Sequence, residues 1–447
     1  MVPRVAHDGQ RRPDPTVPRV GHVAGAWRAG LDVSGQVLED TVWAADTVRV
    51  VGPLEVVNGV TLGIDAGVRV EFQGFHDLTV EGRVLAMGTA TEPVVFTSSD
   101  PAAFLPDSSS VGAWGGIRFD WSSSGNERSV FEHCVFECAK GLGSECVGGA
   151  LTVTGFSKLL VRNSLFRSNA AVYGGAVGCT QQAAPEFVGC LFEGNSAFET
   201  GSAFYSEYSY PRLVACTLAD NTVLNAEPFD PAGVVHNHIA KTSVASSIVR
   251  ENESSYFIDT QMVEAKPYYV TYSNVEDLSE GLGNIDADAL FVGHGASPYA
   301  ILPGSPCEDA GEPDTLGMGL ASCDLAGEPR VTGGRLDMGA YEGAGATGVD
   351  GGSARPALAL ACLGNPATGR PVVALTSPAA AYVRVDVFDA AGRHVSTMAS
   401  GRVPAGSTEI VWDGRSDNGR GAANGVYFIR AESDSGERAM AKVVLLR

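Results

Sequence analysis

The sequence predicts an all-β chain: a right-handed parallel β-helix followed by a small β-sandwich. Three observations carry this. First, one phrase recurs between Phe131 and about Val275. Around Cys190, apolar residues stand at Phe187 and Phe192 and an amide at Asn195. Stepping back 26 residues, the same offsets give Val161, Ser164, Phe166 and Asn169, and 26 forward they give Leu213, Cys216, Leu218 and Asn221. Such a unit is too short to hold a core of its own and must stack on its neighbours. Second, its short apolar and β-branched runs are separated by Gly, Asn and Ser, which signals strands and turns rather than helices. Third, beyond a Gly-rich stretch near Gly343 a separate set of short alternating runs begins, with its own turns.

In chain order, residues 1–40 are expected to be disordered. Met1 to Arg28 is rich in Pro, Arg and Gly and has no apolar signal-peptide core. An exported protein would then have its signal upstream or already removed. Strands are expected from Thr41. Asn58 to Ser99 alternates short β runs with Gly and Asp turns and leads to Trp114-Gly115-Gly116-Ile117. This stretch resembles the N-terminal coils of secreted bacterial β-helix proteins of the pectate-lyase-like kind, departing from them at Gly63, Asp65 and Ala66. The resemblance implies architecture and is almost silent on activity.

In the repeat, each unit forms one coil, and equivalent positions stack about 4.8 Å apart. The Phe/Val/Leu rows are the expected core. Steps of 30 and 31 residues, to Cys134 and Ser247, mark insertions on loops. Cys134, Ser164, Cys190, Cys216 and Ser247 make a small row at an inward bend. Asn169, Asn195, Asn221 and Asn252 are expected to form an amide ladder, with Ala139 in that slot of the first copy. Gly148-Gly149-Ala150, Gly174-Gly175-Ala176 and Gly201-Ser202-Ala203 suit a tight corner with φ > 0. The pairing of Gly-Gly-Ala with Phe166-x-x-Asn169 and Phe192-x-x-Asn195 is similar to chlamydial-type polymorphic outer-membrane protein repeats. That implies a surface β-helix used for adhesion or display.

Pro303 to Gly311 and Asp337 to Glu342 resemble the C-terminal end of another group of secreted β-helix proteins. The resemblance implies that this segment closes the helix, expected over 41–343, and that envelope anchoring accompanies it. A flexible linker follows at 344–356. Residues 357–447 read as a small β domain, with strands at Val383–Phe388, Glu409–Trp412, Val426–Ile429 and Lys442–Leu446. Val383, Val385 and Val387 should face its core, with Arg384, Asp386 and Asp389 largely off it. Asn365-Pro366, Asp389, Gly392, Asn424-Gly425-Val426-Tyr427 and Lys442-Val443-Val444 carry a resemblance to type IX secretion sorting domains and to the Ig-like domain of the flagellar hook-capping protein. This implies an Ig-like sorting domain that engages secretion machinery, and an extracellular or outer-membrane-associated location.

A formal net charge of −21 over 447 residues argues against nucleic acid as a partner. No apolar run is long enough for a transmembrane helix. Of the nine cysteines, Cys138 with Cys146 and Cys307 with Cys323 bracket short loops and are disulfide candidates in an oxidising compartment. None has zinc-site spacing.

For catalysis on a polysaccharide, two carboxylates must flank a bond, or an acidic ion site must stand beside an Arg. Along the repeat no offset is expected to collect two carboxylates on adjacent coils. The row Glu137, Arg167, Glu193, Ala219, Arg250 reads as a solvated face. Gly293-His294-Gly295 is like a polygalacturonase tripeptide but lacks its acidic partners, and reads as a loop. His236 and His238 share a strand face without an identifiable third ligand. Glu308, Asp309, Glu312, Asp314 and Asp324 are a candidate for structural calcium; no other cofactor is implied. Tyr205, Tyr208 and Tyr210 are the candidate aromatic stripe for a glycan. No catalytic residue is assigned. The reading is a secreted, surface-attached, non-catalytic β-helix for adhesion, glycan contact or envelope structure; the alternative is a polysaccharide lyase or glycoside hydrolase.

Overall fold

The computed structural model describes residues 30–446 except 144–145, 226–232, 253–255, 261–268, 279, 333, 344–358, 364–366, 369, 378–380, 390–392, 405 and 434–437. The chain divides into two compact units, Met1–Thr347 and Gly348–Arg447. The expected linker at 344–356 and most of the expected N-terminal tail lie outside the described residues.

The first unit is a parallel β-helix. Its two long sheets have 17 and nine strands, and successive rungs pair in parallel. Three columns of strands make up the coils. One column runs through Cys134–Glu137, Leu165–Arg167, Leu191–Glu193 and Thr217–Ala219, in register 135↔165↔191↔217. The next runs through Ile117–Asp120, Leu151–Thr154, Val177–Thr180, Phe204–Glu207 and Gly233–His238. The third includes Leu159–Arg162, Glu186–Val188 and Arg212–Val214. Alternation sends every second residue inward, so one apolar core runs from Val33 to Val275. Phe96, Phe136, Phe166 and Phe192 stack face to face along it at 5.2, 4.6 and 4.7 Å. Large rings at one repeated position bury the most area per coil, and the offset stack suits their quadrupoles.

Two polar rows hold the bends. Asn169 Nδ2 donates to Asn195 Oδ1, Asn195 Nδ2 to Asn221 Oδ1 and Asn221 Nδ2 to Asn252 Oδ1, each at 2.9 Å. The side-chain oxygen of each of the four asparagines also accepts a backbone N–H from the preceding rung, Ala139 N included. The first three amides are fully buried, so this accounting satisfies groups that water cannot reach. In the small row, Ser164 and Ser247 hydroxyls accept from Cys134 N and Cys216 N, both at 3.0 Å. At the Gly-Gly corner Gly174 has φ +69, and a Cβ on Gly175 would stand 2.3 Å from Ser202 O, so the tight turn excludes side chains.

Three expectations are corrected. The helix starts earlier: Leu31–Val37 is a strand paired in parallel with Thr47–Val56, its Val33 and Val37 buried at the end of the core. It also ends earlier. The last rung is the bridge Asn274↔Ile285, and residues 286–343 fold back as a strap along the outside. Met338 and Cys307 pack on Ile248, Met318 and Leu336 on Val188 and Val214, and Tyr341 and Ala340 on Leu191. The strap's Cys323 carbonyl accepts from Asn163 Nδ2 at 3.0 Å. So the closing segment clasps the flank of several coils as well as ending them, because those coils carry outward apolar residues that need cover.

The third correction concerns sulfur. All cysteines of the described residues outside the second unit are free thiols. Cys307 Sγ accepts from Asn274 Nδ2 at 3.1 Å, whereas Cys323 Sγ lies 3.7 Å from His133 Nε2 and 3.9 Å from Asn163 Nδ2. Asn163 and Asn274 stand four coils apart, roughly 19 Å, well beyond disulfide reach. The strap separates the two sulfurs along the helix axis.

The second unit is a sandwich of a three-stranded and a five-stranded sheet. Besides the expected strands, it contains Ala359–Leu363, Ala367–Thr368, Val372–Ser377 and His394–Val403. Val383, Val385, Val387, Ile429 and Trp412 build its core. Asp386 keeps the expected alternation: it lies with Arg384 on the face away from Val383, Val385 and Val387, and neighbouring side chains cover it there. There it accepts from Arg384 Nε at 2.7 Å and Thr397 Oγ1 at 2.7 Å, and His394 Nε2 stands 3.1 Å away. These hydrogen bonds hold its carboxyl below the usual range against the effect of burial.

Candidate functional site

Outward positions of the second column make one continuous face. Pairing places Arg118 beside Thr152, then Gly178, Tyr205 and His236 on successive rungs. A parallel row carries Asp120, Thr154, Thr180, Glu207 and His238. A cavity of about 510 Å³ opens at the N-terminal end of this face, lined by Phe75, Asp77, Arg118, Lys140, Thr152 and Thr180 among others.

Both cations of the cavity are spent on the fold. Arg118 Nη1 donates to Gly148 O at 2.7 Å and to Thr152 Oγ1, and Nη2 donates to Gly115 O. Burial pulls its guanidinium below the ordinary value. Lys140 is fully buried, and its ammonium donates to Asp107 Oδ1 at 3.0 Å and Ser109 O at 2.7 Å while lying over the Phe104 ring. These bonds pin the loop before Ile117 and lower Asp107 to about 2, Ser109 and Lys140 being the donors responsible.

Further along, the face becomes aromatic. Tyr205 is half-buried, with its ring 5.2 Å from Tyr173 and stacked on His236 at 5.3 Å; His236 Nδ1 lies 3.1 Å from Thr200 Oγ1. Thr180 Oγ1 donates to Thr154 Oγ1 at 3.2 Å, a hydroxyl ladder between rungs. The edge of the face is a row of turns with positive φ at Trp121, Gly155, Gln181, Tyr208 and Ile239. Trp121 is 65% exposed and Tyr208 44%. Trp121 is seated nonetheless: a Cβ on Gly155 would stand 2.6 Å from its ring. Tyr210 is 54% exposed just beyond. Of the three candidate tyrosines, then, Tyr208 and Tyr210 present themselves to solvent and Tyr205 packs on the coil. Trp121 was missed because the turn position it shares with Tyr208 carries no repeated residue type.

The strap face corrects two further expectations. The row Glu137, Arg167, Glu193 is only partly solvated: Glu137 is buried and takes Arg167 Nη2 at 2.6 Å. One residue along, a turn slot with positive φ holds Cys138, Ser168 and Gly194, then Asp220, Glu251 and Asp277. It therefore does collect carboxylates on adjacent coils, and Asp220 N donates to Glu251 O at 3.0 Å. Tyr299 of the strap donates its hydroxyl to Asp220 Oδ2 at 2.5 Å. Burial raises Glu193 and Glu251, with Asp220 adding to both.

The remaining candidates make packing and hydrogen-bond contacts within the fold. His238 packs edge-on against Tyr208, beside the His236 stack. Glu308 accepts from Gly304 N at 2.7 Å and Asp314 from Leu316 N at 3.0 Å. Glu312 donates its N–H to Ser246 Oγ at 2.8 Å. Asp324 is buried and accepts from Glu328 N and Glu342 N. Asp337 accepts from Asp309 N and Gly343 N, both at 2.6 Å. Among the described residues no group of three or more His, Cys, Asp or Glu is placed to hold a metal ion. His294 sits on the loop Gly293–Gly295, where both glycines have positive φ.

Comparison with known proteins agrees with the architecture. Residues 35–133 match the family described as pectate-lyase like beta helix domain. This pectate-lyase-like region contains the cavity's Asp77 and Arg118 and the exposed Trp121. Residues 365–437 match the FlgD Ig-like domain. No curated protein matches the chain. Among solved structures, the dimeric latent PorU from Porphyromonas gingivalis is similar at 24% identity over 22% of this chain, with a TM-score of 0.19. The match spans 10% of that structure's own length.

Proposed function

We propose that this chain is an exported protein held at the cell surface, whose β-helix contacts glycan along the outer face of its long sheet without cleaving it. The observation that carries this is a continuous sheet face in which a hydroxyl ladder, Thr154 and Thr180, runs beside exposed rings, Trp121 and Tyr208. A sugar offers both hydroxyls and apolar C–H faces, and rings held at fixed spacing meet the latter with little entropy loss. Catalysis finds less support on this face. Its outer-row carboxylates Asp120 and Glu207 stand three rungs apart, roughly 14 Å by coil spacing, beyond the separation glycosidases use. The Arg118 that shares the cavity with Asp77 is already committed to Gly115 O, Gly148 O and Thr152 Oγ1. The lyase or hydrolase alternative is favoured by one observation, the Glu193, Asp220 and Glu251 group with its two raised carboxyls, but Tyr299 already occupies Asp220. Adhesion and envelope structure are the roles this reading serves. Export and attachment are assigned to the second unit, supported by its FlgD Ig-like match. No helix of the described residues is long and apolar enough to cross a membrane. A chain ending at Gly343 should fold yet fail to reach the surface of its native host; correct delivery would refute the sorting role.

A further inference from the structure

We infer that the sheet-face groove takes a neutral glycan and rejects polyanionic ones such as polyuronates. This rests on the glycan-contact reading and names its substrate class. A polyuronate needs cations with donors to spare, or a bridging metal. The groove's guanidinium, on Arg118, is already committed to Gly115 O, Gly148 O and Thr152 Oγ1. Its ammonium, on Lys140, is committed to Asp107 and Ser109 and has no exposed surface. Freeing either would strip buried carbonyls or a buried charge of their partners, a cost that a carboxylate ligand must overcome. The charged groups facing outward are instead acidic: Asp77 in the cavity, then Asp120 and Glu207 in the outer row. A net charge of −21 adds long-range repulsion of polyanions.

What the face does offer suits a neutral sugar. Carboxylates accept from sugar hydroxyls without needing a counter-charge, and charge-assisted bonds of this kind are strong. Thr154 and Thr180 donate or accept as the ligand requires. Trp121 and Tyr208 stand at the same turn position three rungs apart, roughly 14 Å, which suits an extended chain lying along the helix axis. Gly155, at φ +64, is the notch that seats the first ring.

The test is affinity electrophoresis of the full chain in gels holding β-1,4-glucan, β-1,3-glucan or galactomannan on one side, and polygalacturonate or alginate on the other, at low ionic strength. At least one neutral polymer should retard the protein and neither anionic polymer should. Trp121→Ala and Tyr208→Ala should each weaken retention by about ten-fold or more while the fold and its cooperative melt persist, since neither ring belongs to the buried core. Retardation by an anionic polymer exceeding that by any neutral one, and abolished by added salt, would overturn the neutral assignment while leaving glycan contact standing. No retardation by either set would overturn glycan contact and the assignment with it. Retention unchanged in both variants would place the site elsewhere and overturn the assignment to this groove.

Discussion

Asn195 shows how much one side chain carries in this fold. Its Oδ1 accepts from both Asn169 N and Asn169 Nδ2, and its Nδ2 donates to Asn221 Oδ1 and to Phe166 O at 3.0 Å. Asn195→Ala therefore strands donors of one fully buried neighbour and empties part of the next acceptor. The expected loss is roughly 1–3 kcal/mol in a denaturant titration; an unshifted midpoint would mean that the row idles. Glu342 is the second informative residue. Its carboxylate accepts from Thr332 N at 2.8 Å and stands 3.9 Å from the buried Arg330 guanidinium, yet burial outweighs these and pushes its pKa up to about 7. A carboxyl raised on folding binds its proton more tightly in the native state, so its contribution is complete below the unfolded value near 4.5 and is lost as pH rises through 7. Stability should fall by roughly 3 kcal/mol across that window, and Glu342→Gln should flatten the slope. A melting temperature with the same pH dependence in both proteins would contradict this.

At the scale of elements, the strap is the feature with the most consequences. It places Cys307 against Asn274 and Cys323 against His133, so both should alkylate with iodoacetamide in denaturant without reductant. Protection of the pair would show a disulfide and a different path for the strap. The coils were legible in the sequence because each reuses the same inward slots: Phe136, Phe166 and Phe192, then Asn169, Asn195 and Asn221, recur at nearly fixed steps. The strap was not legible, because Leu336 and Tyr341 answer to Val214 and Leu191 more than a hundred residues away and share no period with them. The first strand was hidden by Gly35, which sits at φ +84 where its register shifts. The acidic turn row escaped because Asp220 and Glu251 occupy a slot that Ser168 and Gly194 fill in earlier coils. That slot calls for a positive φ rather than for a charge. The groove was half legible: Tyr208 and Tyr210 stood out, whereas Arg118 becomes meaningful only once pairing sets it beside Thr152.

For the whole molecule, two units imply two separable jobs. The core of the second unit, built on Val385, Trp412 and Ile429, is self-contained. Residues 357–447 alone should give a β-type spectrum and a single cooperative melt; a non-cooperative melt would make the unit dependent on the β-helix. The first unit carries the groove, and glycan contact without cleavage is the central claim. It is tested most directly by applying the full chain to a glycan array and assaying reducing-end release on the same panel. Retention on at least one glycan with no release of reducing ends is the predicted result. Release from any retained glycan, or retention on none, would contradict it.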